Sequence, residues 1–242
     1  MEETWSSVAR DVAASFGTTL EAMFLAFARV FPIVLLVPAI GLKGFQTTIR
    51  AAFALVLALA IAPAFRSAGS APLTALSILE AVLSGIPVAI AASVPLWIVM
   101  NVGAYADLLR GSTEPVASPF ADTRQTQLST LFGLLGSAWF LSMGGVSITA
   151  GLLLEPLPPE PLLRIVGSLA NGVAIATVIA GPLLGASVLL EVATALIAKH
   201  ASPANIQGLL TPLRNVALLV VLAFGLHEME SVLAGVFLNA RP

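Results

Sequence analysis

Six long apolar runs govern what this chain can fold into. They are Ala22–Leu42, Ala51–Phe65, Ile78–Ala106, Leu128–Leu154, Ile165–Leu190 and Val216–Leu238. A helix needs about 20 apolar residues to cross about 30 Å of hydrocarbon. Five of the runs reach that length. Ala51–Phe65 has 15 residues and extends only about 22 Å at about 1.5 Å per residue. It either thins the bilayer locally or lies inside an assembly rather than in lipid. Hydrocarbon leaves no partner for an unpaired backbone N–H or C=O, so runs of this length predict helices. The expected fold is all-α, a polytopic integral membrane protein. Composition agrees: 58% of the residues are hydrophobic and 10% charged, against about 25% charged in a soluble domain. An ordinary soluble domain is excluded, and so is a disordered chain, which needs low hydrophobicity and high net charge.

The connections Lys43–Arg50, Arg66–Ser77, Asp107–Gln127, Glu155–Arg164 and Glu191–Asn215 are brief and polar. None holds a soluble domain, so residues 1–242 read as a single membrane domain. Met1–Glu21 carries Glu2, Glu3, Asp11 and Glu21 against Arg10 alone, which is the wrong charge for a signal peptide. Trp5, Val8, Val12 and Phe16 recur at helical spacing there, so 1–21 reads as an amphipathic lead-in helix. The net charge of −2 shows no basic patch for nucleic acid. The absence of Cys excludes disulfides, Cys-ligated metals and thiol catalysis. If all six runs cross, the loops after the first, third and fifth hold Lys43, Arg50, Arg110, Arg124, Lys199 and Arg214. The positive-inside rule then places those loops in the cytoplasm and both termini outside.

Proline is frequent in or beside the apolar runs: Pro32, Pro38, Pro63, Pro87, Pro95, Pro182 and Pro212. Each removes a backbone donor and crowds the preceding turn, which predicts broken helices arranged as hairpins. Arg29 lies near the middle of the first run. A central Arg costs about 2.5–3.5 kcal/mol to insert, so it should face a partner, a cavity or an interface unless it snorkels from a helix end. Asp107 and Arg110 can pair at i, i+3, and Gly111 suits a helix C-terminus. Ser112–Asp122 then runs without periodicity and carries two prolines. A stretch of that kind is either a functional loop or a solvated connector. Gly181 and Gly185 make a GxxxG match that permits close helix approach. Gly133, Gly136, Gly144 and Gly145 suggest tight packing in the fourth run.

Catalytic motifs are missing. His227-Glu228 opens like a zinc-binding HExxH, but Ser231 stands where the second His belongs. No GxSxG elbow, phosphate-binding loop or dinucleotide fingerprint occurs. The reading is a non-enzymatic protein with no metal and no cofactor. A stand-alone secondary transporter would bind solute at half-helix ends near Pro87, Pro95 or Pro182 and would show inverted repeats, and the chain shows none. An intramembrane enzyme would need convergent polar groups, where only scattered Ser, Thr and Glu occur.

The order of landmarks resembles the FliR/SctT family of the type III export apparatus. The residues that carry the likeness are Arg29, Pro38, Arg50 and Pro63, then Gly103, Asp107, Arg110-Gly111 and Pro119. Gly144-Gly145 follows, then Pro203-Ala204-Asn205 and Pro212-Leu213-Arg214. The likeness runs from about Ala22 to Leu238, and the Asp107…Arg110-Gly111 form is closer to the injectisome branch than to the flagellar one.

The resemblance implies a subunit of an export gate in the bacterial inner membrane. Its expected partners are the SctR/FliP-type and SctS/FliQ-type gate subunits, the SctU/FlhB-type switch protein, membrane lipid and unfolded secreted proteins in transit. It implies a pore plug formed by Arg110, Gly111, Ser112, Thr113, Glu114, Pro115, Val116, Ala117, Ser118, Pro119, Phe120, Ala121 and Asp122. It also implies assembly contacts at Arg29, Arg50, Asp107, Pro203, Asn205 and Arg214.

Overall fold

The computed structural model describes residues 7–8, 10–12, 14, 19–41, 46–63, 73–112, 114–120, 124–154, 160–200 and 207–239. The helices in chain order are α1 (Leu20–Leu36), α2 (Thr47–Ile61), α3 (Ala75–Arg110), α4 (Gln127–Ser142), α5 (Gly145–Leu154), α6 (Pro161–His200) and α7 (Gln207–Asn239). The described residues contain no strand, only one isolated antiparallel bridge between Val116 and Gln125. The protein is all-α, and each apolar run of the sequence holds helix. Most of the lead-in over 1–21 lies outside the described residues. Of its apolar stripe, Val8 and Val12 are described, both helical and exposed.

Local chemistry sets the helix ends. Thr19 Oγ1 accepts from the Ala22 N–H at 3.2 Å and starts α1. Thr74 and Ser77 form a reciprocal capping box at the start of α3. Pro161 opens α6, at the one helical position where a missing N–H costs nothing. Pro38 stops α1: the residue before a proline is driven out of the helical region, and Val37 sits at ψ 112. The first run was expected to cross the membrane, but its helix has only 17 residues.

Pro38 and Pro63 fall at helix ends, but the other prolines do not break their helices. Pro32 lies inside α1, Pro87 and Pro95 inside α3, Pro182 inside α6 and Pro212 inside α7. Packed neighbours hold a proline-bearing helix together where an isolated one would kink. The break falls instead at a glycine. Gly144 has φ +75, a backbone conformation that side chains disfavour, and α4 and α5 diverge there by 66°. A Cβ on Gly145 would lie 2.5 Å from the Phe140 ring, so the ring fills the inside of the bend.

The connection read as Glu191–Asn215 is largely helical, because α6 runs on to His200 and α7 starts at Gln207. Polar residues end the apolar run there without ending the helix. Lys199 and His200 in the last turn of α6 suit the negative end of its dipole. Among the described residues, three helices are long and apolar enough to cross a membrane, or four if the bent α4–α5 pair counts as one span. The loop orientation above presumed six crossings.

Helix α3 is the hub, packing against α1, α4, α5, α6 and α7, while α2 packs on α1. Small residues make this possible. A Cβ on Gly85 would lie 2.1 Å from the Arg29 carbonyl oxygen, so α1 crosses α3 backbone to backbone. Ser93, fully buried, returns its hydroxyl to the Ala89 carbonyl at 2.6 Å. One apolar cluster joins Val30, Ile33 and Val34 of α1 to Ala54 and Ala58 of α2, Ala89 of α3, and Phe140 and Leu153. A second joins Val99 and Val102 of α3 to Phe132, Ala176, Leu183 and Leu222. The best apolar window of α3 is 56% buried, against 22% in α6 and 11% in α7. Association in lipid depends on close packing rather than on water exclusion. The Gly181 and Gly185 pair contributes nothing to that packing within the chain: a Cβ on either would meet no atom within 4 Å.

Candidate functional site

Gly103 and Asp107 lie one turn apart on α3 and face the first turn of α4. A Cβ on Gly103 would lie 2.6 Å from the Leu128 carbonyl oxygen and 2.8 Å from the Ser129 nitrogen. Only glycine admits the α4 backbone at that range. Asp107, fully buried, then reaches across. Its Oδ2 accepts from the Leu128 N–H at 2.6 Å, and its Oδ1 accepts from Arg110 Nη1 at 3.3 Å. The first N–H groups of a helix have no partner of their own. Thr126, in the N-cap position of α4, makes no side-chain cap bond. Asp107 supplies that cap from another helix, 21 positions earlier in the chain. A carboxylate at this end also meets the positive pole of the α4 dipole, an effect of about 0.3–2 kcal/mol.

The end of α3 is closed in a complementary way. Gly111 has φ +70, and its N–H donates to the Leu108 carbonyl at 3.0 Å. The Ser112 N–H donates to the Asp107 carbonyl at 2.9 Å. This is a Schellman closure, which needs a left-handed residue and therefore favours Gly. The next carbonyl, Leu109, accepts from Arg214 Nη2 of α7 at 3.2 Å. The same nitrogen pairs with Glu191 Oε1 of α6 at 2.6 Å.

Between these two fixed ends the loop doubles back. Val116 and Gln125 exchange both backbone bonds, at 2.7 and 3.0 Å. Ser118 Oγ donates to Gln125 Oε1 at 2.7 Å and accepts from the Phe120 N–H at 3.2 Å. Phe120 is buried on α4, where a Cβ on Gly133 would come within 2.8 Å of two ring carbons. Glu114, Pro115, Val116 and Ala117, on the outgoing arm, are exposed. The loop is thus rooted at both ends, held to itself by the Val116–Gln125 pair, seated on α4 by an aromatic ring, and exposed along its outgoing arm.

No cluster of three or more His, Asp and Glu suited to a metal occurs among the described residues. The class of the protein comes from comparison with known families. A family model for bacterial export proteins, family 1, matches residues 20–240. The chain belongs to this family. No match is found among curated proteins. As a bacterial export protein the chain is a membrane component of a protein-export apparatus and associates with other components of it.

Of the residues singled out in the export protein's sequence, Asp107, Arg110, Gly111 and Arg214 come together at the end of α3. Arg29 is partly buried on α1, at the Gly85 crossing. Gly85 and Asp107 are about 33 Å apart along α3 at about 1.5 Å per residue. Arg50, also partly buried, is in the first turn of α2. Thr113, Ala121, Asp122, Pro203 and Asn205 lie outside the described residues. Three contributors escaped sequence reading. Gln125 carries no motif. Gly133 reads only as a packing glycine. Glu191 stands at the edge of an apolar run with nothing to indicate Arg214 as its partner.

The Phe120 anchor leads to a direct expectation. Gly133→Val puts side-chain atoms where the ring now lies and releases the loop. Losing the burial of a Phe side chain, about 1.5–3 kcal/mol, raises the open population by about tenfold or more. Trypsin should then cut after the exposed Arg124 correspondingly faster than in the unsubstituted protein. Equal cleavage rates would show that Phe120 does not hold the loop.

Proposed function

We propose that this chain is a non-enzymatic subunit of a type III secretion export gate in the bacterial inner membrane. There it helps to form the pore through which unfolded proteins leave the cytoplasm. The loop from Arg110 to Asp122 acts as the plug that closes the conduit until a substrate engages it. One observation carries this reading above the rest: a loop clamped at both ends by Asp107 and the Gly111 closure, with Phe120 seated on α4 and an exposed outgoing arm. Irregular backbone at membrane depth is tolerated where it is buried in protein or lines a water-filled cavity, which suits a plug. The family match supports an export role, and the landmark order supports the FliR/SctT assignment. The partners are then the SctR/FliP-type and SctS/FliQ-type subunits and the SctU/FlhB-type switch protein. The exposed apolar surfaces of α6 and α7 would meet lipid and these neighbours across several membrane passes. The stand-alone permease reading gains no support among the described residues.

Deleting the gene in its host and restoring it on a plasmid tests this. Loss of effector secretion with swimming intact supports the injectisome branch. Lost swimming with secretion intact supports the flagellar branch. A strain normal in both contradicts the proposal.

A further inference from the structure

The contact between Arg214 and the end of α3 has a use beyond helix closure. Arg214 lies on α7, and its Nη2 bonds at once to the Leu109 carbonyl of α3 and to Glu191 of α6. Leu109 is two residues before Gly111, where the loop begins. A single nitrogen therefore joins the root of the loop to both helices of the α6–α7 pair. That pair is far more open to its surroundings than α3, with apolar windows only 22% and 11% buried against 56%. Two residues before Arg214, Pro212 removes a backbone donor and leaves the Gly208 carbonyl without its helical partner. A Cβ on Gly208 would meet nothing within 4 Å. Arg214 ties the first turns of α7 to the loop root.

We propose that Arg214 is a positioning residue for the plug: it couples the outer α6–α7 pair to the loop root, so that a neighbour pressing on the pair shifts the loop. This rests on the plug reading above. Both contacts come from one nitrogen, so an ammonium group can make them and a neutral amide cannot replace the ion pair.

The chain has no cysteine, so two introduced ones are the only thiol labelling sites on it, and it is labelled before the other subunits are added. Spin labels at Val116 on the loop and Leu209 on α7, both exposed, report the distance between loop and hairpin in the assembled complex. The unsubstituted protein should show one narrow distance. Arg214→Gln should broaden or split it, and Arg214→Lys should restore it. Should Arg214→Gln fail to assemble, Glu191→Gln decides: its side chain is 59% exposed, the amide is isosteric, and the same broadening is expected. An unchanged distance in the deciding variant overturns the coupling, and so does broadening that Arg214→Lys fails to reverse. Ion conductance of the same complexes reads the plug role separately. Broadening without any rise in conductance leaves the coupling standing and counts against the plug.

Discussion

Removal of Ser112–Ala121 is expected to turn a closed complex into an ion-conducting one. The deletion takes away the exposed arm, the Val116–Gln125 pair, the Ser118 contact and the Phe120 anchor, yet spares the Asp107 bond that joins α3 to α4. Asp107 still caps α4 at the Leu128 N–H, so the two helix ends remain neighbours. The residues left between them, 122–126, reach about 17 Å when extended, enough to reconnect ends that share a hydrogen bond. Folding and assembly should therefore survive while the obstruction is lost. Single-channel recording of the purified complex in a planar bilayer checks this. Intact complexes should be silent, and complexes carrying the shortened chain should show steady conductance at rest. Silence from a fully assembled shortened complex would remove the plug role from this loop.

The second large effect is structural. Gly103→Ala adds one methyl group where the Leu128 carbonyl oxygen is 2.6 Å away. The atoms in the way are backbone, so no side chain can rotate to make room. The start of α4 must move off α3, and the Asp107 cap must lengthen or break. Overpacking of this kind costs about 1–3 kcal/mol, and loss of a cap adds about 1 kcal/mol. The expected result is a marked fall in assembled protein recovered in mild detergent, together with a lower thermal midpoint. Gly151→Ala is the control: a Cβ there meets nothing within 4 Å, and recovery should stay normal. Equal recovery of both variants would mean that α3 and α4 do not meet at Gly103.

The sequence made some of this legible and hid the rest for physical reasons. Apolar runs bounded by capping residues revealed the helices, because hydrophobicity and helix length are both local properties. Gly111 after Arg110 marked the end of α3 for the same reason, since a left-handed closing residue is written in one letter. Proline was read correctly at Pro38, which ends α1, and misled inside the helices, because its effect depends on what surrounds it: Pro95 is buried in the hub and α3 passes through it. The real break, at Gly144, needs a particular φ and the Phe140 ring beside it, and a glycine alone announces neither. Asp107 was visible as the i, i+3 partner of Arg110. Its shorter bond, to the Leu128 N–H, depends on how α4 returns to α3. The pairing of Glu191 with Arg214 depended on α6 and α7 both running on through a stretch that composition marks as a connection.

The central claim is that this chain works as one subunit of a multi-protein export gate. Affinity purification of a tagged chain in mild detergent, expressed from its own operon, tests it most directly, with mass spectrometry of what accompanies it. The account predicts a large complex in which two smaller hydrophobic membrane proteins co-purify in fixed ratio with the chain. A chain that runs alone, or only with copies of itself, would contradict it.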